Sequence, residues 1–269
     1  MNENNRPKKS LGQNFLFDFN ILEKIGDIAD LRDNDDVLEI GAGLGILTLF
    51  LSEKCKSVVS IEKDPRLVGL LKRNVSEWKN IEIIEGDVLK IDFKKFSKSK
   101  KIKLVANLPY NISLPLLFKV LDHRMMFTEI VVMLQKEVAE RIVSESGNRR
   151  YGSISVILQT FFDIEKKLKV SATCFWPKPK VDSVVIKMVP LGEPRYYLED
   201  LTFYSQIVRA AFSTRRKYLS NSLKTVINQK TLDEIFSTVG LDKKVRAENL
   251  SVKEFTQVAN LAYNLTARN

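Results

Sequence analysis

The sequence is short of the residues on which most enzyme mechanisms depend. Its 269 residues include one histidine, His123, and two cysteines, Cys55 and Cys174. A single imidazole excludes a multi-histidine metal centre and leaves a Ser-His-Asp triad little to build on. Two thiols so far apart form neither a disulfide scaffold nor a metal-ligand spacing, and they suit a reducing compartment. No apolar run approaches the roughly 18 residues of a membrane span, and the polar, basic start from Met1 to Lys9 lacks the apolar core of a leader. With 11 glycines and 8 prolines the chain is also too poor in both for a collagenous or low-complexity class. These absences predict a soluble, cytoplasmic, monomeric protein with no resident metal and no membrane partner. His123, at a predicted helix end, is expected to cap or to face water, and both thiols are expected to be inert.

Positive charge, by contrast, is abundant. Lys and Arg number 43 against 33 Asp and Glu, a net +10. Residues 1–190 carry 31 basic and 25 acidic side chains and residues 191–269 carry 12 and 8, so both parts are basic. The charge is bunched at Arg6/Lys8/Lys9, Lys94 to Lys103, Arg149-Arg150, Lys166 to Lys169, Lys178/Lys180 and Arg215-Arg216-Lys217. Any one cluster reads as a solvated loop, whereas so many together point to a polyanionic partner.

From residue 20 short apolar runs alternate with amphipathic stretches, the signature of βαβ units around a parallel sheet. Strands are predicted at 37–40, 58–61, 81–84, 104–106, 129–134, 156–164, 167–170 and 183–189. Helices are predicted at 20–31, 46–51, 65–75, 114–121 and 137–145. This describes a doubly wound α/β sheet of about seven strands. Pro190-Leu-Gly-Glu-Pro194 is a breaker cluster, after which only helical patterns remain. The expected domains are therefore 1–190, a Rossmann-like nucleotide-cofactor domain, and 195–269, a small all-helical domain.

Ligands of open α/β sheets bind at the carboxyl ends of the strands, so the residues just beyond each strand are the first candidates. Gly41-x-Gly43-x-Gly45 comes after the first strand and allows close backbone approach to a ligand. Glu62 ends the second strand, 21 residues beyond Gly41, where a carboxylate can accept both ribose hydroxyls. Asp87, after the third, can accept from an adenine amino group. A nicotinamide site would show G-x-G-x-x-G and a diphosphate on the helix N-terminus. The G-x-G-x-G spacing and the extra acid favour a cofactor without a diphosphate, such as S-adenosylmethionine.

Asn107-Leu108-Pro109-Tyr110 comes after the fourth strand and should face that cofactor. An exocyclic amine is a poor nucleophile because its lone pair is delocalised into the ring. The Asn107 side-chain oxygen and the Leu108 carbonyl can each accept one N–H, drawing the nitrogen toward a tetrahedral state without a basic residue. Pro109 would fix the turn and Tyr110 would stack on the base.

Six blocks of sequence resemble one family: Lys9 to Leu16, Glu39 to Gly45, Asn107 to Ser113, Met133 to Arg141, Phe175 to Ser183 and Ala211 to Asn221. In order and spacing they are similar to the motifs of bacterial 16S rRNA adenine N6,N6-dimethyltransferases (the RsmA/KsgA family), from Lys9 to about Leu265. The resemblance implies dimethylation of N6 of two adjacent adenines in the 3′-terminal hairpin of 16S rRNA, late in small-subunit assembly. It implies cofactor contacts at Asn14, Leu16, Gly41, Glu62, Asp87 and Asn107, with Gly43 in the same loop. It also implies that Phe175 lies across the adenine from Tyr110, that Lys178 and Lys180 hold neighbouring phosphates, and that Arg215, Arg216 and Lys217 bind RNA. Leu114 departs from the pattern, since members carry Thr or Ser before the proline.

Three other functions compete with this one. The 23S rRNA adenine methyltransferases of macrolide resistance share fold and chemistry, but Asn111-Ile112 and the Arg215-Arg216-Lys217 block favour the small-subunit enzymes. A DNA N6-adenine methyltransferase would need a target-recognition domain larger than the helical segment. An assembly factor whose binding outweighs its catalysis is compatible with the same residues.

Overall fold

The computed structural model describes residues 7, 12–96, 100–214 and 216–266. Arg215 lies outside the described residues, as does the start of the first sequence block, Lys9 to Leu11. The chain divides into two compact units, one of Met1–Ala139 with Ile164–Pro190, the other of Glu140–Asp163 with Leu191–Asn269.

In the first unit the chain runs through β1 (Phe15–Leu16), α1 (Phe19–Ile28), β2 (Asp36–Ile40), α2 (Ile46–Lys54), β3 (Ser57–Glu62), α3 (Pro65–Asn74), β4 (Ile81–Glu85), β5 (Ile102–Asn107), α4 (Ser113–Asp122) and β6 (Phe127–Gln135). Two elements straddle the units, α5 (Lys136–Ile142) and β7 (Phe162–Val170). The first unit closes with β8 (Phe175–Trp176) and β9 (Ser183–Pro190). Among the described residues seven strands form one sheet in the order β4-β3-β2-β5-β6-β9-β7, with β4, β3, β2, β5 and β6 mutually parallel and β9 antiparallel to β6. Strand order reverses between β2 and β5, whose carboxyl ends carry Gly41 and Asn107. That reversal opens the crevice in which such sheets bind ligands. Helix α1 packs through one apolar face: it buries Ile21, Leu22 and Ile25, and begins where Asp18 accepts from the backbone N–H groups of Asn20 and Ile21.

Between the two parts of the first unit lies α6 (Ser153–Phe161), and the second unit continues with α7 (Leu201–Ala211), α8 (Leu219–Leu223), α9 (Gln229–Val239) and α10 (Val252–Thr266). One expectation fails in this stretch. The pattern of residues 156–164 predicts a strand, but Val156 to Phe161 are helical. Seven of the nine residues of α6 are buried, so its β-branched run shows no helical period, and Gly152 N–H donates to Ser155 Oγ at its start. Residues 140–163 also group with the C-terminal helices rather than with the sheet, because α6 packs against α7 and α10. A buried hydrogen bond of 2.7 Å joins Thr160 Oγ1 to the Tyr204 hydroxyl across that contact. Among the described residues no helix is long and apolar enough to cross a membrane.

Candidate active site

A cleft open to solvent lies at the strand-order reversal, lined from the segment before β1, the glycine loop after β2, the end of β3, the turn after β4 and the Asn107–Ile112 loop. Asn14, Leu16, Gly41, Gly43, Glu62, Asp87, Asn107, Leu108, Pro109 and Tyr110 all line it. Most of these residues are expected from their place just beyond a strand, and Asn14 and Leu16 from the family resemblance alone; the fold brings them to one place.

Two glycines of the loop have distinct structural reasons. Gly43 takes a φ of +58°, and a Cβ there would stand 2.9 Å from Cδ1 of Phe15, so the loop and the aromatic ring close against each other. Gly45, at φ +87°, would place a Cβ 2.5 Å from Leu71 Cδ1, so its smallness serves the packing of α2 on α3.

Glu62 is 7% exposed, and its carboxylate is already engaged. Oε2 accepts from Gly43 N–H at 2.8 Å, while Oε1 accepts from Lys63 N–H at 2.9 Å and Asp64 N–H at 2.8 Å. A carboxylate offers about four acceptor positions, so three of them are taken by the protein's own backbone. Asp87 accepts from Lys63 Nζ at 2.8 Å and from Leu89 N–H at 3.0 Å, and the Lys63 bond holds its carboxyl below the ordinary range.

Asn107 donates its side-chain amide to the Asn14 carbonyl at 3.1 Å, which leaves Oδ1 as its acceptor in the cleft. Leu108 N–H donates to the Met133 carbonyl at 3.1 Å and so fixes that peptide to β6. Ile112 N–H closes the turn onto the Pro109 carbonyl at 3.2 Å. Half-buried Tyr110 shares a 2.8 Å hydrogen bond with Ser183 Oγ at the start of β9. Burial pushes its hydroxyl pKa up against the opposing effect of that bond.

Several residues escaped the sequence reading. Gln13 Nε2 donates to Asp64 Oδ2 at 3.2 Å, tying the segment before β1 to the turn after β3. Arg66 beside Asp64 holds that carboxyl down at about 2. Glu39, fully buried beneath the glycine loop, accepts from Thr48 Oγ1 at 2.5 Å and Ser60 Oγ at 2.6 Å, and its burial raises its carboxyl to about 7. An acid inside an otherwise apolar strand, Val37-Leu-Glu-Ile40, was the signal available for Glu39.

Phe175 does not stand open to a base. It pairs with Leu16 across the β1–β8 ribbon, is 3% exposed, and belongs to the core cluster that holds Ile21, Leu22 and Val185. Side chains alternate between the faces of a strand, so the ribbon turns Phe175 inward and its neighbour Trp176 outward. Lys178 and Lys180 are exposed in the segment after β8. Arg216 and Lys217 are exposed between α7 and α8, in the second unit.

The donors fit S-adenosylmethionine. The cleft offers a loop whose Gly41 and Gly43 lack Cβ atoms, two carboxylates from Glu62 and Asp87, and apolar walls from Ile61, Val88 and Ile112.

The family model for ribosomal RNA adenine dimethylase matches residues 4–264. A protein of Syntrophus aciditrophicus named ribosomal RNA small subunit methyltransferase A is 38% identical over 98% of this chain and 97% of its own length. One of the same name from Clostridium botulinum (strain Kyoto / Type A2) is 42% identical over 96% of this chain and 94% of its own. Among solved structures, a dimethyladenosine transferase from Plasmodium falciparum superposes with a TM-score of 0.80 at 31% identity, covering 94% of this chain and 98% of that one. The 23S rRNA methyltransferase ErmE, 24% identical, covers 92% of this chain and 99% of its own with a TM-score of 0.71, a likeness of fold.

Proposed function

The chain belongs to the ribosomal RNA adenine dimethylase family, an enzyme family that uses S-adenosylmethionine, and from that premise we propose that it dimethylates N6 of two adjacent adenines in the 3′-terminal hairpin of 16S rRNA. Its substrate on this reading is the immature small subunit, and modification is coupled to late assembly. The observation that carries the mechanism is the Asn107 amide, whose donor is taken by Asn14 and whose oxygen stays free in the cleft.

Gly41, Gly43, Glu62 and Asp87 would hold the cofactor, with Asn14 and Leu16 closing over it. Bound there, S-adenosylmethionine supplies the electrophilic methyl group. Asn107 Oδ1 and the Leu108 carbonyl accept the two N–H bonds of the adenine amine and turn its lone pair out of the ring plane. Pre-placed acceptors of this kind act in the transition state and need no reorganisation. Tyr110, anchored to Ser183, presents its ring to the flipped base. Lys178, Lys180, Arg216 and Lys217 bear on phosphates and position the RNA without reading its sequence.

The test is incubation with labelled S-adenosylmethionine and undermethylated small subunits, followed by mapping of the product. The reading expects label at N6 of two neighbouring adenines near the 3′ end of 16S rRNA. Label elsewhere in 16S rRNA, or absent, would overturn it.

A further inference from the structure

The β1–β8 ribbon has an outer face that the reaction, as described, does not use. Phe15 and Trp176 are partners across the ladder, and their rings stack with centroids 6.5 Å apart and planes 20° apart. Phe15 lies between the glycine loop, at Gly43, and the indole, and is 8% exposed. Trp176 is the outermost member of this stack and is 44% exposed. Phe17, whose N–H continues the ribbon by donating to the Cys174 carbonyl at 3.2 Å, is 49% exposed. Immediately after Trp176 the chain exposes Lys178 and Lys180, each preceded by a half-buried proline, Pro177 and Pro179. Exposed aromatic faces beside paired lysines combine stacking with phosphate neutralisation, the two means by which unpaired nucleic acid is held.

We propose that Trp176 is a stacking platform for an unpaired nucleobase flanking the target adenine, with Lys178 and Lys180 on the adjoining phosphates. The proposal rests on the rRNA dimethylation reading and adds to it a residue that selects how the strand lies. Phe15 lines the cofactor cleft and Trp176 does not, so the base it takes is a neighbour of the target. The lysines and the net charge of +10 favour RNA as the occupant of this apolar face. Because Trp176 rests on Phe15, which rests on Gly43, a base docked on the indole also presses the ribbon onto the cofactor loop.

The chain has two tryptophans, and Trp78 packs against Ala42, Leu71 and Val75 without itself lining the cleft. A Trp78→Phe parent therefore leaves Trp176 as the only indole. Titration with a synthetic 3′-terminal hairpin RNA should quench its fluorescence. In turnover on undermethylated subunits, Trp176→Ala should raise the apparent KM roughly 5- to 150-fold with kcat and cofactor affinity within about twofold, and Trp176→Phe should restore most of the loss. An abasic residue moved along the hairpin loop should weaken binding to the parent at one position beside the target and leave Trp176→Ala indifferent there. Absence of quenching, or identical abasic profiles, would overturn the platform. A loss of cofactor affinity as large as the rise in KM would also overturn it, by making Trp176 a prop for Phe15. A parent that methylates no rRNA would instead count against the enzymatic reading itself.

Discussion

The side-chain amide nitrogen of Asn107 lies 3.1 Å from the backbone carbonyl of Asn14, its acceptor 93 positions earlier in the sequence. The residue assigned to the amine therefore also holds the segment before β1 against the cleft. A second tie, Gln13 to Asp64, fixes the same segment from the β3 side. The segment before β1 is thus held against the cleft by Asn107 itself and by Gln13, and disturbing either tie disturbs that wall of the cleft.

Glu62→Ala is expected to weaken S-adenosylmethionine binding by about 1.5–3 kcal/mol, the worth of one hydrogen bond to a charged acceptor. It should also lower thermal stability, since three backbone N–H groups lose their acceptor. Calorimetry and a melting curve on the same preparation measure both. Unchanged cofactor affinity in a folded variant would remove Glu62 from the ribose.

Phe175→Ala is expected to destabilise the protein by roughly 3–5 kcal/mol, as truncation of a buried phenylalanine does. It should not change the ratio of monomethyl- to dimethyladenine in partly reacted RNA. Chemical denaturation and nucleoside mass spectrometry decide. A stable variant that accumulates monomethyladenine would put the ring on the base after all.

Glu39 predicts a pH dependence with a definite sign. Its carboxyl titrates near 7 in the folded protein against 4.5 in its ordinary state, so the fold favours the neutral form. Its contribution is complete below pH 4.5 and is lost as pH rises to about 7, by roughly 3 kcal/mol. Asp64, held down at about 2, is ionised throughout that window in both states and adds no slope there. Glu39→Gln keeps the acceptor for Thr48 and Ser60, and should flatten the difference in urea stability between pH 5 and pH 7.5. An equal difference in both proteins would contradict the assignment.

Most of the sheet was legible because parallel strands buried on both faces read as short apolar runs, as β2 and β5 do, and because the loop beyond each strand faces the crevice. The cleft was legible for the same reason: Gly41, Glu62, Asp87 and Asn107 each sit at or just beyond the end of a strand. The features that escaped depend on tertiary pairing or on local backbone geometry, neither of which the residue pattern displays. Nothing in Phe175-Trp176 says which ring turns inward until the pairing with Phe15-Leu16 is known. The run 153–161 carries β-branched residues that suit a strand, and a helix buried at seven of its nine residues shows no clear apolar period to mark it. Glu62 showed a carboxylate, while the three N–H groups that occupy it come from backbone geometry.

The most direct test of the central claim, that two carbonyl acceptors activate the adenine amine without a base, is single turnover of Asn107→Ala on undermethylated small subunits at saturating S-adenosylmethionine. Loss of one pre-placed group in the transition state should slow transfer by about 10²–10³-fold, while RNA affinity stays within a few-fold of the parent. A variant that transfers methyl groups at a near-normal rate under those conditions would contradict the account.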